Sequence, residues 1–379
     1  MAEPTPRQAP LIGVKVVELA RILAGPWAGQ LLADLGAEVI KVEAPAGDDT
    51  RGWGPPFVTY RDGTRDAAYF HAANRGKRSM TADLSTKEGR NKVIKLVREA
   101  DVLIENFKVG GLKKFGLDYD SIRAINPRLI YCSITGFGQD GPYASRAGYD
   151  FIVQGMSGIM DVTGEPEGEP QKIGVAYADI LTGLYAANAI QAGLLMRERT
   201  GRGQLIDMAL FDVMVGTLAN QAMNTLVSGE DSERIGNAHP NIVPYQAFAC
   251  SDGWAIVAVG NDAQFARFAG LIGLEDDPTW STNEGRVADR ERLTNAVAAL
   301  MVDWTRDNLL EALETECIPG GPINSVMQAL SDPQIDSRGM VIEVVASDGT
   351  CIPGVRTPIV FSDAELSFMT ASPRLGDAD

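Results

Sequence analysis

The chain opens with a hydrophobic segment, an amphipathic segment and a second hydrophobic segment in close succession. Residues 14–19 are short and mostly β-branched and predict a strand. Trp27–Leu35 has apolar positions at helical spacing, with Pro26 where the helix begins and Gly36 where it ends. Glu38–Val42 predicts the next strand. A strand–helix–strand unit of this length indicates two parallel strands in one sheet.

The same alternation continues through the first half of the chain. A helical pattern over Lys87–Ala100 precedes a predicted strand at Asp101–Glu105, and another strand is predicted at Leu129–Ile134. The order βαβαβ favours a doubly wound, Rossmann-like parallel sheet, so the fold class is predicted to be α/β. A long helix over 179–196 and a strand at Gln204–Met208 extend this domain.

The pattern changes after residue 226. One helix is predicted over Phe211–Leu226, and the polar, glycine-containing segment Ser228–Asn241 predicts a linker. Beyond it, strands are followed by several amphipathic helices, and two strands are predicted near the end, at Met340–Val345 and Gly354–Phe361. We therefore predict a large Rossmann-like domain at 10–225, completed by 326–379, and a smaller α+β domain at 226–325.

Composition and charge exclude several classes of protein. The 379 residues include 34 Lys and Arg and 50 Asp and Glu, which gives a formal charge of −16. That charge argues against nucleic acid or an anionic membrane surface as the main partner. The least polar long segment, Ala178–Met196, contains Asp179 and two further polar residues, whereas a membrane span needs about 20 mostly apolar residues.

The expected compartment is the cytoplasm. Residues 1–10 lack the basic start and the apolar stretch of a signal peptide, and they predict a disordered leader. The four cysteines are far apart and form no CxxC pair, which argues against a disulfide scaffold and a cysteine zinc site and fits a reducing compartment. We expect a soluble protein.

Metal and dinucleotide sites find little support in the sequence. The chain has two histidines, His71 and His239. So small a number argues against a histidine metal site and a Ser-His-Asp triad, and no metal is expected. Gly136–Gly141 matches the G-x-G-x-x-G spacing and follows a predicted strand. However, Pro142–Gly148 is too short and polar to be the helix that this motif opens, so a nicotinamide or flavin cofactor is disfavoured.

Local basic clusters contrast with the acidic charge of the whole chain. They are formed by Arg75, Lys77 and Arg78, and by Lys108, Lys113 and Lys114. The second cluster follows a predicted strand, at the sheet edge where ligands collect in α/β proteins. Each cluster is compatible with a phosphate-bearing ligand, but a solvated surface is the more common role of such charges.

Asp179, at the start of the long helix, has two open interpretations. An aspartate there can cap the helix by accepting hydrogen bonds from first-turn amides. Small neighbours leave room for a substrate above the carboxylate, which can also attack an activated carbonyl as a nucleophile. The residues alone do not separate these two roles.

A series of short segments spans most of the chain, over about residues 10–376. They are Pro10–Leu19, Leu23–Pro26, Leu35–Glu43, Arg51–Gly54, Asn74–Ser79, Glu105–Phe107, Gly136–Pro142, Thr200–Gly203, Gly320–Asn324 and Asp332–Gln334. In their residues and their order these segments resemble the class III CoA-transferase family, the CaiB–BaiF group. Arg146–Asp150 and Ala238–Phe248 are most similar to the succinyl-CoA:glutarate type of dicarboxylate CoA-transferase.

The resemblance implies an activity and a set of site residues. CoA would move from a succinyl-CoA-like donor to a carboxylic acid, with Asp179 as the nucleophile that forms a mixed anhydride and then an aspartyl-CoA thioester. The large domain would bind CoA as a substrate, with no tightly bound cofactor. An interlocked homodimer is also implied. The implied CoA contacts are Ile22, Leu23, Arg78, Asn106, Phe107, Lys114, Tyr149 and Asp150.

Two aspects of specificity stay open at this stage. The second carboxylate of a dicarboxylic acid needs a cationic partner, and Arg21, Arg146 and His239 are the candidates. The alternative activity is that of the 2-methylacyl-CoA racemases in the same superfamily, which use a histidine and an aspartate. Tyr149 stands where the racemases have the histidine, and a tyrosine with an ordinary pKa of about 10 is poorly suited to that task.

Overall fold

A computed structural model describes residues 8–379, so residues 1–7 of the predicted leader lie outside it. The chain forms two compact units. One contains the chain up to Ile159, Lys172–Ser228 and Gln334–Asp379, and the other contains Met160–Gln171 and Gly229–Pro333. The second unit thus includes a short segment, Met160–Gln171, that lies inside the large domain as divided from the sequence.

The described strands are spread along the whole chain. They are β1 (Lys15–Glu18), β2 (Glu38–Glu43), β3 (Phe57–Thr59), β4 (Arg65–Ala67), β5 (Lys77–Thr81), β6 (Val102–Glu105), β7 (Ile130–Thr135), β8 (Gln204–Ala209), β9 (Tyr245–Cys250), β10 (Gly253–Ala258), β11 (Gly320–Pro322), β12 (Val341–Val345) and β13 (Cys351–Val355).

The described helices vary widely in length. They are α1 (Ala24–Asp34), α2 (Ala68–His71), α3 (Lys87–Glu99), α4 (Tyr119–Ile125), α5 (Asp150–Met156), α6 (Tyr177–Thr200), α7 (Leu210–Gly216), α8 (Ala219–Ser228), α9 (Asp262–Ile272), α10 (Asn283–Ala288), α11 (Arg290–Met301), α12 (Arg306–Thr315), α13 (Val326–Leu330) and α14 (Pro333–Ser337).

A six-stranded sheet forms the centre of the first unit. Its order is β5-β2-β1-β6-β7-β8 and every neighbouring pair is parallel, which confirms the α/β class and the parallel sheet. Val17 in β1 pairs with Ile40 in β2 on one side and with Leu103 in β6 on the other. The strand order reverses between β1 and β6, and ligands of such sheets bind beyond the carboxyl ends at this point.

Alternating residues of the central strands lie in two hydrophobic cores, one on each face of the sheet. Val16 lies in a core with helices α1 and α6, and the adjacent Val17 lies in a core with α3 and α4. Helices therefore cover both faces of the sheet, as expected for parallel strands that are buried on both sides. On the first face, a Cβ on Gly183 of α6 would come within 2.7 Å of the Ala24 carbonyl oxygen, so the first turns of α1 and α6 lie side by side.

The second unit has its own small core. An antiparallel sheet of order β11-β10-β9 packs with helices α9, α11 and α12 around Phe268, Val297 and Leu309, all fully buried. The guanidinium of Arg286 is also buried, where it donates to the carbonyl oxygens of Val243 and Trp280. Two further antiparallel pairs, β3 with β4 and β12 with β13, belong to the first unit.

Two predicted elements differ from the structure. The single helix predicted over Phe211–Leu226 is interrupted after Gly216, and the second part begins at Ala219 with a φ of +48°. The last predicted strand, Gly354–Phe361, is shorter and earlier, at Cys351–Val355. Among the described residues, no helix combines the length and the apolar character needed to cross a membrane.

Candidate active site

A cavity of about 560 Å³ lies beyond the carboxyl ends of β1, β6 and β7. It lies at the reversal of strand order, and its size is within the usual range for small-molecule sites. It is lined by all but one of the first-unit residues that the sequence analysis names as nucleophile, CoA contact or carboxylate partner, the exception being Arg78: Arg21, Ile22, Leu23, Asn106, Phe107, Lys114, Arg146, Tyr149, Asp150 and Asp179.

The loop after β1 is fixed by the loop after β6. The side-chain oxygen of Asn106 accepts a hydrogen bond from the Arg21 amide at 3.0 Å, and its side-chain nitrogen donates to the Arg21 carbonyl at 2.7 Å. Both main-chain polar groups of Arg21 are thereby satisfied by a single side chain. The Arg21 guanidinium pairs with Asp49 at 2.9 Å at the edge of the cavity.

Of the two basic clusters, only the second reaches the cavity. Lys108 and Lys114 line it, and the Lys114 amine lies 4.7 Å from the centroid of the Phe115 ring. Arg78 is exposed on the edge strand β5 and does not line the cavity, so the structure does not bring it to the other predicted CoA contacts.

The other cations of the first cluster are internal. Arg75 pairs with Asp34 at 2.6 Å, and Lys77 pairs with Glu18 at 2.8 Å. All four side chains are buried. The interpretation of these two cations as phosphate ligands is therefore wrong, because each is already neutralised by a buried carboxylate and needs no anionic ligand.

Asp150 caps helix α6. Its carboxylate accepts hydrogen bonds from the amides of Ala178 at 2.8 Å and Asp179 at 3.4 Å, and from the Gln154 side chain at 2.8 Å. The residue in the N-cap position, Ala176, has no side chain that could do so. The capping interpretation of Asp179 is therefore wrong: it lies inside the first turn, and Asp150 satisfies the amides that a cap would.

Asp179 lines the cavity, and its carboxylate is not used in capping the helix. No donor in the described chain hydrogen-bonds it, although it is partly buried at the start of α6. Burial, together with the nearby Asp150 charge, raises the pKa of Asp179 from 3.8 to about 7. Burial and the same two carboxylates also raise the pKa of Tyr69. A carboxyl group in a cavity with a pKa near neutrality is characteristic of functional sites.

The segment before Asp150 is held by two glycines. A Cβ on Gly148 would lie 2.3 Å from the Gly136 Cα, so the backbones of the two loops are in direct contact. Tyr149 follows this contact and is 64% exposed. Nearby, the Arg146 guanidinium lies over the Tyr143 ring, 3.9 Å from its centroid.

His239 belongs to the second unit. Its Nδ1 accepts a hydrogen bond from the Asn241 amide at 3.0 Å, and its ring packs against Tyr245. Burial and the charge of Arg290 lower the pKa of His239. Its imidazole thus already has local partners within that unit.

Sequence reasoning missed two aromatic residues of this region. Trp53 lines the cavity, and its ring packs edge-on against Tyr69 with centroids 5.3 Å apart. The family-like segment Arg51–Gly54 contains Trp53 and could have pointed to it. For Tyr69, no sequence signal distinguished it from a core residue. In the described part of the chain, no group of three or more His, Cys, Asp or Glu side chains is arranged to hold a metal ion.

Comparison with known families gives the class of protein. The model of CoA-transferase family III matches residues 11–379. The chain belongs to this family, and the resemblance inferred from its motifs is confirmed. It is an enzyme of the CoA-transferase class.

Several individual members of the family are similar to this chain over most of its length. A succinate–glutarate CoA-transferase from Agrobacterium fabrum is 57% identical over 376 residues, covering 98% of this chain and 94% of that protein. The human succinyl-CoA:glutarate CoA-transferase is 42% identical over 339 residues, covering 88% of this chain and 76% of that protein. Among solved structures, a CaiB/BaiF family protein from Brucella suis is 61% identical with a TM-score of 0.87, covering 98% of this chain and 97% of that one.

Proposed function

We propose that this enzyme transfers CoA from succinyl-CoA to a dicarboxylic acid of about four or five carbons, with Asp179 as the nucleophile. The relatives that act on succinyl-CoA and glutarate, at 57% and 42% identity, support the substrate class. The observation that carries the proposal is the Asp179 carboxylate, which lines the cavity and has no hydrogen-bond donor in the described chain. A nucleophile must be reachable and not held by other groups.

The reaction proceeds in two symmetrical halves. The Asp179 carboxylate attacks the thioester carbonyl of succinyl-CoA, and the C–S bond breaks to give a mixed anhydride and the CoA thiolate. The thiolate attacks the aspartyl carbonyl, forming an aspartyl-CoA thioester and releasing succinate. The acceptor carboxylate then attacks this thioester, expelling the thiolate. Attack of the thiolate on the acceptor's acyl carbonyl yields the new acyl-CoA and regenerates the Asp179 carboxylate.

The environment of Asp179 suits this chemistry. A carboxylate with a raised pKa is more basic and therefore a better nucleophile once it is ionised. Burial also limits the access of water, which would hydrolyse the anhydride. Asp150 contributes by a second route, because its charge raises the pKa of Asp179 and its hydrogen bonds fix the first turn of α6.

CoA contacts are proposed along the wall of the cavity that follows β1 and β6. Ile22, Leu23, Asn106 and Phe107 form this wall, and Lys114 supplies a positive charge for a phosphate group. Tyr149 and Asp150 are proposed to lie near the thioester. Arg78 is not included, because it lies on the edge strand outside the cavity.

Arg146 is the proposed partner of the acceptor's second carboxylate. Arg21, which also lines the cavity, already pairs with Asp49 at 2.9 Å. In the described chain, Arg146 has no carboxylate within ion-pair distance, and its guanidinium is exposed beside the Tyr143 ring. An arginine can meet a carboxylate with two parallel hydrogen bonds. His239 stays a sequence prediction.

We also propose the interlocked homodimer. Helix α6 buries one face in the core of its unit but is apolar on the opposite face too, where Leu184, Tyr185, Leu195 and Met196 are 43–68% exposed. Such a helix is expected to be covered on both sides. Light scattering at micromolar concentration tests this: a dimer mass is expected, and a monomer mass would exclude the interlocked arrangement.

A substrate panel tests the transfer reaction. Succinyl-CoA is incubated with mono- and dicarboxylic acids, and the new thioesters are separated by chromatography. Diacids of about four to six carbons are expected to outpace acetate, formate and oxalate, although one methylene changes discrimination by only ~1–3 kcal/mol. Hydroxylamine added during turnover should label Asp179. If monocarboxylates react faster, the dicarboxylate assignment fails while the Asp179 mechanism is retained.

A second incubation separates transfer from racemisation. A chiral 2-methylacyl-CoA is incubated in D2O without any acceptor acid. The transferase is expected to leave the α-hydrogen in place, because Tyr149 stands where the racemases have their histidine. Incorporation of α-deuterium at a rate comparable with transfer would favour the racemase instead.

A further inference from the structure

Two buried side chains, Lys41 and Asp48, form hydrogen bonds to the main chain of the loop after β1. The Lys41 amine donates to the Ala20 carbonyl at 2.9 Å, and the Asp48 carboxylate accepts from the Ile22 amide at 3.2 Å. Arg21, between them, is held by the Asn106 side chain described above. Side chains from other elements thus fix three consecutive main-chain positions, and two of these residues line the cavity.

The central position of this loop has an unfavourable backbone conformation. Ile22 has a φ of +70°, in the left-handed region that β-branched residues rarely occupy. Such a conformation persists only where the surroundings hold it in place. The hydrogen bond from the Ile22 amide to Asp48 provides that constraint, and the next residue, Leu23, leads directly into α1 at Ala24.

Asp48 and Lys41 belong to a closed set of buried charges. The Lys41 amine lies 2.8 Å from the Asp48 carboxylate and 3.1 Å from that of Glu18, which also pairs with Lys77. Two positive and two negative side chains are therefore buried together. Burial alone would raise the pKa of Asp48, but the charge of Lys41 and the hydrogen bonds from Lys41 and Thr50 together keep that pKa below its ordinary value.

Stability alone gives a weak reason for such a cluster. Burying paired charges costs desolvation free energy that their attraction barely offsets, and apolar side chains often stabilise a core as well. What the cluster does provide is a fixed position for each of its partners. Here the partners include two main-chain groups of the loop that lines the cavity, at Ala20 and Ile22.

We propose that Asp48, supported by Lys41, is a positioning residue for acyl-CoA: it holds Ile22 in the left-handed conformation and thereby sets the positions of Ile22 and Leu23 in the cavity wall. Neither Asp48 nor Lys41 lines the cavity, so both act through the loop. The inference rests on the proposed function, in which this wall contacts CoA.

Asp48→Asn is the primary test. The Asp48 carboxylate accepts from four donors: the Ile22 amide, the Thr50 amide, the Thr50 hydroxyl and the Lys41 amine. An asparagine amide has one acceptor oxygen, so the Ile22 amide must compete with the Thr50 and Lys41 donors for it, and its hold on the loop is weakened. We expect the KM for succinyl-CoA and the calorimetric Kd for CoA to rise about tenfold. The KM for the acceptor acid should stay within about twofold.

Asp34→Asn is the matched control. Asp34 is likewise buried and pairs with Arg75 at 2.6 Å, but it makes no hydrogen bond to the loop after β1. This variant should lower the unfolding temperature and leave the Kd for CoA unchanged. An unchanged Kd in Asp48→Asn, or an equal change in Asp34→Asn, would overturn the positioning role.

The variant Ile22→Gly tests whether Asp48 acts by maintaining the left-handed backbone conformation of residue 22. Glycine adopts a φ of +70° without strain, so the loop no longer needs the constraint. Ile22 also lines the cavity, so Ile22→Gly removes a proposed CoA contact in either background. The test is therefore a double-mutant cycle: Asp48→Asn should weaken CoA binding less in the Ile22→Gly background than in the wild type. An equal loss in the two backgrounds contradicts the inference. Failure of Asp48→Asn and of the double variant to fold also contradicts it, because Asp48 would then be needed for stability.

The binding measurements separate this inference from the proposed function. Calorimetry with CoA alone measures the Kd for CoA, which depends on the position of the loop after β1 and not on any transfer reaction. If the wild-type protein binds CoA but transfers it to no acid, the proposed function fails while the role of Asp48 is still measurable. If transfer proceeds normally in Asp48→Asn at low succinyl-CoA, only the inference fails.

Discussion

The Asp150 carboxylate accepts a hydrogen bond of 2.8 Å from the main-chain amide of Ala178, in the first turn of the helix that contains Asp179. Asp150 therefore has two effects on its neighbour. It fixes the turn in place, and its negative charge adds to burial in raising the pKa of Asp179 to about 7. The first of these needs only an oxygen acceptor, and the second needs the charge.

Asp150→Asn should separate the two effects. The amide oxygen still accepts from Ala178, while the loss of charge lowers the pKa of Asp179. In the wild type, kcat/KM for succinyl-CoA should fall as the pH drops below about 7, because the nucleophile becomes protonated. In Asp150→Asn this acid limb should lie at lower pH, with a reduced plateau. An acid limb at the same pH in both enzymes would mean that Asp179 is not the titrating group.

Asp179→Asn should abolish transfer and change stability in a pH-dependent way. The pKa of Asp179 is raised in the folded state, so the unfolded chain loses this proton first as the pH rises from about 4. Stability contributed by the protonated carboxyl is therefore lost between about pH 4 and 7. The unfolding temperature of Asp179→Asn, relative to the wild type, should rise across this window and level off above it.

Thermal unfolding at several pH values checks this expectation. Asp120→Asn is a suitable control, because Asp120 also lies in the first turn of a helix but is exposed. This variant measures the effect of removing an exposed first-turn carboxylate on the unfolding temperature. If the difference between Asp179→Asn and the wild type stays constant across the window, the Asp179 carboxyl group is not perturbed by burial.

The central sheet was largely predictable because its strands follow simple patterns. Adjacent residues such as Val16 and Val17 are both apolar, which is typical of strands buried on both faces. Strand β5 was missed for the opposite reason. It begins with Lys77, whose charge is compatible with the sheet interior only because it pairs with Glu18, and that partner is distant in the sequence.

The site was predictable from motifs and not from local chemistry. Asp179 has the sequence context of a helix cap, and the residue that replaces it as the cap, Asp150, lies on a separate helix. Only the packing of α5 against α6 decides which aspartate caps the helix. The support of Ile22 by Asp48 is equally hidden, because a positive φ at an isoleucine leaves no trace in the sequence.

Gly148→Ala should damage the site through the backbone. A Cβ at this position would lie 2.3 Å from the Gly136 Cα, and backbone atoms cannot move aside as a side chain can. We expect a loss of stability of about 1–3 kcal/mol, together with a lower kcat because Tyr149 and Asp150 are displaced. Gly174→Ala is the control, since a methyl group added there would meet no atom within 4 Å. Equal stability and kcat in the two variants would contradict the close contact.

Lys114→Ala and Arg78→Ala should distinguish a phosphate-binding cation from a surface cation. Both side chains carry one positive charge, but only Lys114 lines the cavity. Removing Lys114 should weaken CoA binding and reduce its dependence on ionic strength, because a charge–charge contact that salt would screen is lost. Arg78→Ala changes the net charge equally, so any long-range effect of charge appears in both variants.

Titrations with CoA at low and high salt give the comparison. In Arg78→Ala the affinity and its salt dependence should match those of the wild type, apart from the small change expected for a remote charge on the edge strand. If Lys114→Ala behaves in the same way, the Lys114 amine does not contact a phosphate. Lys114 is then a surface cation that packs on the Phe115 ring. If Arg78→Ala instead shows the larger loss, CoA extends beyond the cavity to β5, and the sequence-based assignment of Arg78 is restored.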